Sequence, residues 1–428
     1  MSLEEDLLDA RARTLELALD LDDAQWLGPR LSIVNPLRWE LGHVAWFQER
    51  WALRHRLGLP PMRTDADALY DSARVAHDTR WDLPLPDRAD TLAYLEATLA
   101  RTLGSLDATP EAASFATLAL FHEDMHGEAF TYTRQTLEYP APRLAIAAPR
   151  PIPSGPRPGD VEVPGARYAL GASEGERLSD GRPPFVFDNE KWAHEVVVPT
   201  FRIARAPVTN EEFSRFVLAE GYASREFWSD EGFRFRESVG ATQPVYWSRA
   251  GGELRVRRYD RWEALAPHEP VVHVSFHEAE AYCRWAKRRL PTEAEWELAA
   301  STPEKRRLPW LAAGRGADQR PSPEHANLEG RFGGPLDVGA LPAGDSVYGC
   351  RQMIGNVWEW TASDFAPYPG FVVDPYEEYS APWFSSPHKV LRGGAWATRG
   401  RLLRTTWRNF YPPDRRDVLA GFRTCSLR

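Results

Sequence analysis

Between Pro140 and Pro158 the chain carries seven prolines and no helical or strand period. Proline fixes its own φ and has no N–H to donate, so neither a helix nor an interior strand passes through such a stretch. Residues 139–160 therefore read as an extended spacer, and the chain on each side must bury a core of its own. With 428 residues, 43% of them hydrophobic and 12% aromatic, there is enough apolar material for two domains, 1–138 and 161–428.

Before the spacer the pattern is helical. Leu8, Ala12, Leu15 and Leu19 follow one another at four, three and four residues, which predicts an amphipathic helix buried along that stripe. Asn35-Pro36 predicts a cap followed by proline in the first turn of a second helix, with Trp39, His43, Trp46 and Arg50 on one face. A third helix is expected at about 91–106 with Leu92, Leu95, Leu99 and Leu103 inward, and a fourth from Pro110 to about Leu137. The fourth contains Leu120-Phe121-His122-Glu123-Asp124-Met125-His126-Gly127-Glu128. A helix puts positions i and i+4 on one face, about 6 Å apart along the axis, so both imidazoles can turn to one ion. Phe115, Leu118 and Ala129 share that face and point it inward.

An isolated pair of this kind reads equally well as two core histidines satisfied by hydrogen bonds, and His43 alone reads as a satisfied core residue. Four helices, however, make a bundle, and bundle interiors take ligands from facing helices. His43, His122 and His126 would then supply three nitrogens to one metal. His55, His77, His194 and His268 stand in more polar settings and are weaker candidates. Glu123, Asp124 and Glu128 are either outer partners that orient the ligands or solvated helix residues.

After the spacer come short β-like runs, Val196 to Val198 and Val271 to Val274, with many Gly and Trp and a few short helices. Thr292-Glu293-Ala294-Glu295 is a capping box opening one of these. Periodicity predicts an irregular α+β domain. A net charge of −9 argues against nucleic acid as a partner. Cys283, Cys350 and Cys425 are too scattered for a disulfide framework or a thiolate cluster and read as packing residues. No run of eighteen apolar residues occurs and Met1-Ser2-Leu3-Glu4-Glu5-Asp6 is acidic, so no membrane partner and a cytoplasmic location are expected. A monomer is the favoured assembly.

The second domain resembles the formylglycine-generating-enzyme fold, which is C-type-lectin-like. The matches are Ala206 to Phe213, Pro270 to His277, Arg289-Leu290-Pro291-Thr292-Glu293-Ala294-Glu295-Trp296-Glu297, Tyr348 to Thr361 with its Gly-Asn-Val-Trp-Glu-Trp core, Leu391-Arg392-Gly393-Gly394-Ala395-Trp396, and Gly421-Phe422-Arg423. The first domain resembles a DinB-like bundle. Together, as an α + (α+β) chain, they resemble the ergothioneine sulfoxide synthase family over essentially the whole length.

That resemblance implies a non-haem Fe(II) held by His43, His122 and His126, with O₂ joining a thiol to the imidazole of hercynine. It implies a proton or electron donor at Tyr376, a betaine pocket from Tyr379, Asn409 and Phe410, and a second domain that forms the substrate wall. A trimethylammonium donates no hydrogen bonds and needs aromatic faces such as those of Phe410 and Tyr379. The ordinary reading of Tyr376 is a surface loop tyrosine.

The departures lie on the donor side. Tyr411 stands where the family has an aspartate, His77 where it has an arginine, and Met125 where it often has glutamine, while Arg415 and Arg80 match retained arginines. A phenol and an imidazole in place of groups that pair with an amino acid's charges suit a neutral, hydroxyl-rich donor such as a selenosugar. The subgroup this resembles is selenoneine synthase, with cysteine or γ-glutamylcysteine as the alternative donor.

His122-Glu123-Asp124-Met125-His126 also matches the zinc peptidase pattern, with Glu123 as general base. Position 132 is tyrosine rather than a third histidine, and the second domain has no place in a peptidase. A zinc thiol transferase of DinB type is a further alternative. Formylglycine generation needs paired cysteines in the segment Thr405 to Phe410, and none is there. A purely binding role suits the second domain alone but leaves the three inward histidines unexplained.

Overall fold

Most of the long N-terminal helices begin at a side chain able to satisfy the free N–H groups of a first turn. α1 (Leu3–Glu16) opens on a capping box of Ser2 and Glu5, and short α2 (Asp23–Leu27) on one of Asp22 and Gln25. α3 (Leu37–Gln48), continued as a π-helix over Glu49–His55, and α4 (Ala66–Tyr70) have no side-chain cap. α5 (Arg88–Gly104) is capped by Asp87, and α6 (Pro110–Thr136) by Thr109 with proline at its start. α3 packs on α5 and α6, and α1 on α6. These elements belong to a unit spanning Met1–Ala145 in the computed structural model, which describes all residues except 1, 107–108, 179–180, 313, 315–318 and 428.

Three expectations for this unit are corrected. The stripe Leu8, Ala12, Leu15, Leu19 faces outward rather than inward: Leu8 is 46% and Leu19 43% exposed, and the residues that α1 and the turn after it bury are Leu7, Ala10, Arg11, Thr14, Leu17 and Ala18. Polar groups are what hid that face. Arg11 donates through Nε to Glu123 Oε1 at 2.8 Å and through Nη2 to Gln48 at 2.8 Å, and the Thr14 hydroxyl donates to Glu123 at 2.8 Å. Asn35 does not cap α3; Pro36 holds the cap position, and the Asn35 amide oxygen instead accepts from Arg80 Nη1 at 2.6 Å. On α5 the buried face is Thr91, Tyr94, Leu95, Thr98, Leu99 and Thr102, with Leu92 and Leu103 only half-buried at its margin.

The second unit spans Ile146–Arg428. It takes in the later prolines, where Ala148 N–H donates to the Arg331 carbonyl and the N–H groups of Ser154 and Gly155 donate to Asp337. One sheet has the order β1 (Asp160–Val163), β4 (Phe201–Ala204), β13 (Cys425–Ser426), β8 (Arg288–Arg289), all antiparallel. β2 (Ala166–Leu170) and β3 (His194–Val198) form a hairpin-like pair, and β5 (Trp247–Ala250), β6 (Glu253–Arg258) and β7 (Arg261–Ala264) a meander. The fourth sheet has the order β11 (Asn409–Tyr411), β10 (Lys389–Arg392), β9 (Trp358–Asp364), β12 (Ala420–Gly421), with β12 parallel to β9. Helices α7 (Asn210–Leu218), α8 (Asp230–Ser238), α9 (Phe276–Trp285) and α10 (Glu293–Ser301) lie between strands in sequence, and α7, α9 and α10 each open on a capping box. Val271 to Val274 is not a strand: His273 sits at φ +61°, which breaks an extended run, although Val271 and Val274 are fully buried.

The recurring motifs of this unit turn out to be its interior scaffold. Glu359, from Gly-Asn-Val-Trp-Glu-Trp, accepts two bonds from Arg423 at 2.6 and 2.7 Å and one from Trp296 Nε1 at 2.8 Å. Glu297 accepts from Arg392, and Glu293 from Arg408 at 2.7 Å. All six charged partners are buried, so each charge is retained only because the other is there. Gly393, at φ +97°, passes so close to Met353 that a Cβ would lie 2.6 Å from its carbonyl oxygen. The three cysteines are buried and unpaired, and burial pushes the Cys350 thiol up to about 11 and that of Cys425 to about 12. No described helix is long and apolar enough to cross a membrane.

Candidate metal centre

α3 is buried on nearly every side, from Leu37 to Gln48 with only Arg38 left out, so its polar residues must find partners inside the protein. His43 Nδ1 lies 2.8 Å from the carbonyl oxygen of Tyr70. A carbonyl only accepts, so Nδ1 carries the proton and Nε2 is left with its lone pair. Gly42 makes this approach possible: a Cβ there would fall 2.2 Å from Tyr70 Cε1, inside the ring that α4 lays on α3. Trp39 stacks on the His43 ring at 4.8 Å and 11°, and Trp46 lies against it at 5.6 Å and 25°. The rotamer is fixed by packing.

On α6, His126 Nδ1 lies 2.6 Å from Glu40 Oε1, again an acceptor, so His126 Nε2 too is bare. His122 stacks face to face on Phe47, centroids 3.5 Å apart and planes within 3°. Its Nε2 stands 3.2 Å from His43 Nε2 and 3.2 Å from His126 Nε2. The three ligand atoms lie within 4.8 Å of one another, the one group of this kind among the described residues.

Two of these nitrogens present lone pairs to a third that has at most one proton to offer. Burial holds the His43 and His122 imidazoles well below their ordinary titration range, so protonation is a costly remedy. A divalent cation is the natural one. Metal–imidazole bonds of about 2.1 Å place ligand nitrogens about 3.0 to 3.4 Å apart for octahedral to tetrahedral angles, and 3.2 Å falls within that span. The donor set fits a borderline transition metal, and three imidazoles leave positions open for exogenous ligands.

Glu40 was not anticipated from the sequence, although a carboxylate three residues before His43 in an otherwise apolar helix is a signal that it needs a buried partner. Glu123, next in sequence to His122, faces the other way into Arg11 and Thr14. It is locked there, which removes the general base that the peptidase pattern requires. Asp124 and Glu128 are buried on α6.

The remaining sequence candidates fall into two groups. In the first unit, His77 Nε2 is 2.9 Å from the Val34 carbonyl oxygen. Arg80 is buried, donates to Asn35 and to the Val75 carbonyl, and lays its guanidinium 3.8 Å over the Trp39 ring; burial lowers its pKa to about 10 against the opposing pull of Glu40. In the second unit, Tyr376 and Tyr379 flank a 3₁₀ turn with ring centroids 6.0 Å apart, and Tyr379 stacks on Phe187 at 4.2 Å. Phe410 meets Tyr379 edge to face at 6.2 Å and stacks on Phe365 at 3.9 Å. Burial raises the Tyr379 phenol, so it is neutral at physiological pH. Asn409 and Tyr411 lie on the opposite face of β11 from Phe410, and the Asn409 side-chain oxygen accepts the Phe410 N–H at 2.8 Å. Arg415 makes a two-pronged ion pair with Asp417 at 2.7 and 2.6 Å and lies 5.3 Å over the Tyr411 ring. Tyr376, Tyr379 and Phe410 are thus one aromatic neighbourhood, with Tyr411 and Arg415 a separate pair.

Comparison with known proteins agrees with both halves of this description. Residues 6–136 match the DinB superfamily, and residues 147–426 match the sulfatase-modifying factor enzyme 1-like domain. The chain is 39% identical to a hercynine oxygenase of Mycolicibacterium smegmatis, over 99% of this chain and 98% of that one. It is 40% identical to a hercynine oxygenase of Mycobacterium tuberculosis, over 97% and 96%. A formylglycine-generating enzyme of Streptomyces coelicolor is 32% identical over 65% of this chain and 96% of its own length. The chain belongs to the hercynine oxygenase family, and it is an oxidoreductase in which a DinB domain precedes a sulfatase-modifying factor enzyme 1-like domain.

Proposed function

We propose that this protein uses a ferrous ion held by His43, His122 and His126, with O₂ as co-substrate, to join hercynine to a selenium donor of the selenosugar type. The observation that carries the metal assignment is the convergence of three Nε2 atoms, two of them bare, at a largely buried site between α3 and α6. Relatives of nearly equal length named hercynine oxygenase support hercynine as the acceptor. When bound, such an iron supplies O₂ activation and open positions at which imidazole and chalcogen meet, so that a multi-component encounter becomes intramolecular.

The protein's own groups have separate tasks in this reading. Residues 1–138 carry the metal, 139–160 are the spacer, and 161–428 supply substrate contacts. The Tyr379 and Phe410 rings offer π-faces to the trimethylammonium, about 0.5 to 2 kcal/mol each. The Asn409 amide is the donor for the substrate carboxylate. Tyr376 is the proton or electron donor. His77, Arg80, Tyr411 and Arg415 are the candidate donor contacts, each within its own unit, and both guanidiniums already have protein partners, Asn35 and Asp417. A donor without charged amino-acid groups asks for no arginine to be released.

Anaerobic reconstitution with Fe(II), followed by hercynine, O₂ and either 1-selenoglucose or γ-glutamylcysteine, with mass detection of the adduct, tests the proposal. The expected product is the selenosugar adduct. A preference for the amino-acid thiol replaces the selenium reading with an ergothioneine-type one. Loss of no activity on removing iron overturns both.

A further inference from the structure

α3 supplies one of the three histidines and also the partner of another. Glu40 lies one turn before His43 and is 1% exposed, and its Oε1 accepts the Nδ1–H of His126 on α6 at 2.6 Å, short for an N–H···O bond. His43 has its Nδ1–H held differently, by the neutral amide carbonyl of Tyr70. The two imidazoles are chemically unequal: one leans on an anion, the other on a dipole.

Two other buried acids of these helices are engaged elsewhere. Glu123 is spent on Arg11 and Thr14, and Glu49 accepts from the Tyr94 hydroxyl and the Met62 N–H. No lysine or arginine donates to Glu40 among the described residues; Arg80, which lies over the Trp39 ring, acts on it through space. The second oxygen, Oε2, is buried with no hydrogen-bond partner among the described residues. The negative charge is therefore directed at His126 rather than dispersed in an ion-pair network.

We infer that Glu40 is a positioning residue of the metal centre, one that fixes the tautomer and aim of His126 and makes it a stronger donor to the metal than His43. This rests on the three-histidine metal reading and deepens it. Carboxylate–histidine–metal relays act in this way: the anion raises ligand basicity, and its loss weakens metal binding by about 10- to 100-fold.

The test compares wild type, Glu40→Gln, Glu40→Ala and His126→Ala. Each is titrated anaerobically with Fe(II) against a competing chelator, and the Fe(III)/Fe(II) potential and the thermal midpoint of the metal-free protein are recorded. Glu40→Ala is expected to weaken Fe(II) binding about 10- to 100-fold. Glu40→Gln keeps the acceptor and the shape but not the charge, so it should bind with a smaller loss, unfold as wild type does without metal, and show a raised potential, because the ferric state loses an anion nearby. A purely structural Glu40 would leave the potential of Glu40→Gln unchanged. If His126→Ala loses the metal while both Glu40 variants keep wild-type affinity and potential, the inference fails and the metal site stands. If His126→Ala binds as tightly as wild type, the metal site itself is wrong and the inference falls with it.

Discussion

The histidine cluster of the helical unit and the aromatic cluster of the second unit are built in opposite ways. Around His43, His122 and His126 the rings are stacked on Trp39, Trp46 and Phe47, and the outer nitrogens of His43 and His126 have named acceptors. Tyr376, Tyr379, Asn409 and Phe410 stand half-buried on a 3₁₀ turn and a three-residue strand, with contacts mainly between rings. The first arrangement fixes ring orientation and tautomer through packing and hydrogen bonds, as a coordination site needs. The second offers surfaces of a chemical kind, which is what a soft cation without hydrogen-bond donors needs. Changes to the first should therefore act on metal and stability together, and changes to the second on substrate alone.

The largest expected effect separates the two at once. His122→Ala, which removes the nitrogen shared by both short contacts, should abolish metal binding, a larger loss than the about 10- to 100-fold that an outer partner costs; metal content after gel filtration reads it. Retained stoichiometric iron would break the comparison at its centre. Next is Glu123→Gln, which leaves the buried Arg11 charge without its anion and should destabilise the metal-free helical unit by about 3 to 5 kcal/mol while the histidines stay in place. Urea unfolding followed by far-UV circular dichroism measures it, and an unchanged midpoint would show that the network linking α1, α3 and α6 is not stabilising.

Gly42→Ala drives a methyl into the Tyr70 ring and should cost about 1 to 3 kcal/mol by overpacking, with a parallel loss of metal affinity because the Tyr70 carbonyl moves off His43. A stability loss with unaltered metal affinity would mean that His43 does not depend on that carbonyl. In the second unit, Phe410→Leu should weaken hercynine binding by about 0.5 to 2 kcal/mol without touching iron content, read by calorimetry on the iron-loaded protein. Smallest in stability is Tyr376→Phe: within about 0.5 kcal/mol of wild type, hercynine affinity unchanged, product formation suppressed. A normal product rate would return Tyr376 to the status of a loop tyrosine.

Much of the helical unit was legible because period and caps are local. Thr109-Pro110 marks the start of α6, and the i, i+4 spacing of His122 and His126 puts both on the face where they are found. The face of α1 was not legible, since Arg11 and Thr14 look like solvent-facing residues until Glu123 is placed beside them. Val271 to Val274 misled for a related reason: two fully buried valines look like a strand, and the positive φ of His273 is invisible in a run of apolar letters. Glu40 could be singled out as an acid in an apolar helix, but not as the acceptor for a histidine 86 residues away.

The amino-acid order by itself determined which segments of the first unit coil, and that two motif sets, one carrying histidines and one interlocking Arg, Glu and Trp, belong to a known pairing of domains. These follow from properties of single residues and near neighbours: a missing N–H, a cap, a repeat of three or four. Only the tertiary structure decided which nitrogen of each imidazole faces its fellows, that Glu123 turns away while Glu40 turns in, and that the stripe of Leu8 and Ala12 on α1 faces outward. Periodicity tells which side chains share a face; the groups that lie across from that face set their protonation, tautomer and partner, and those come from distant parts of the chain.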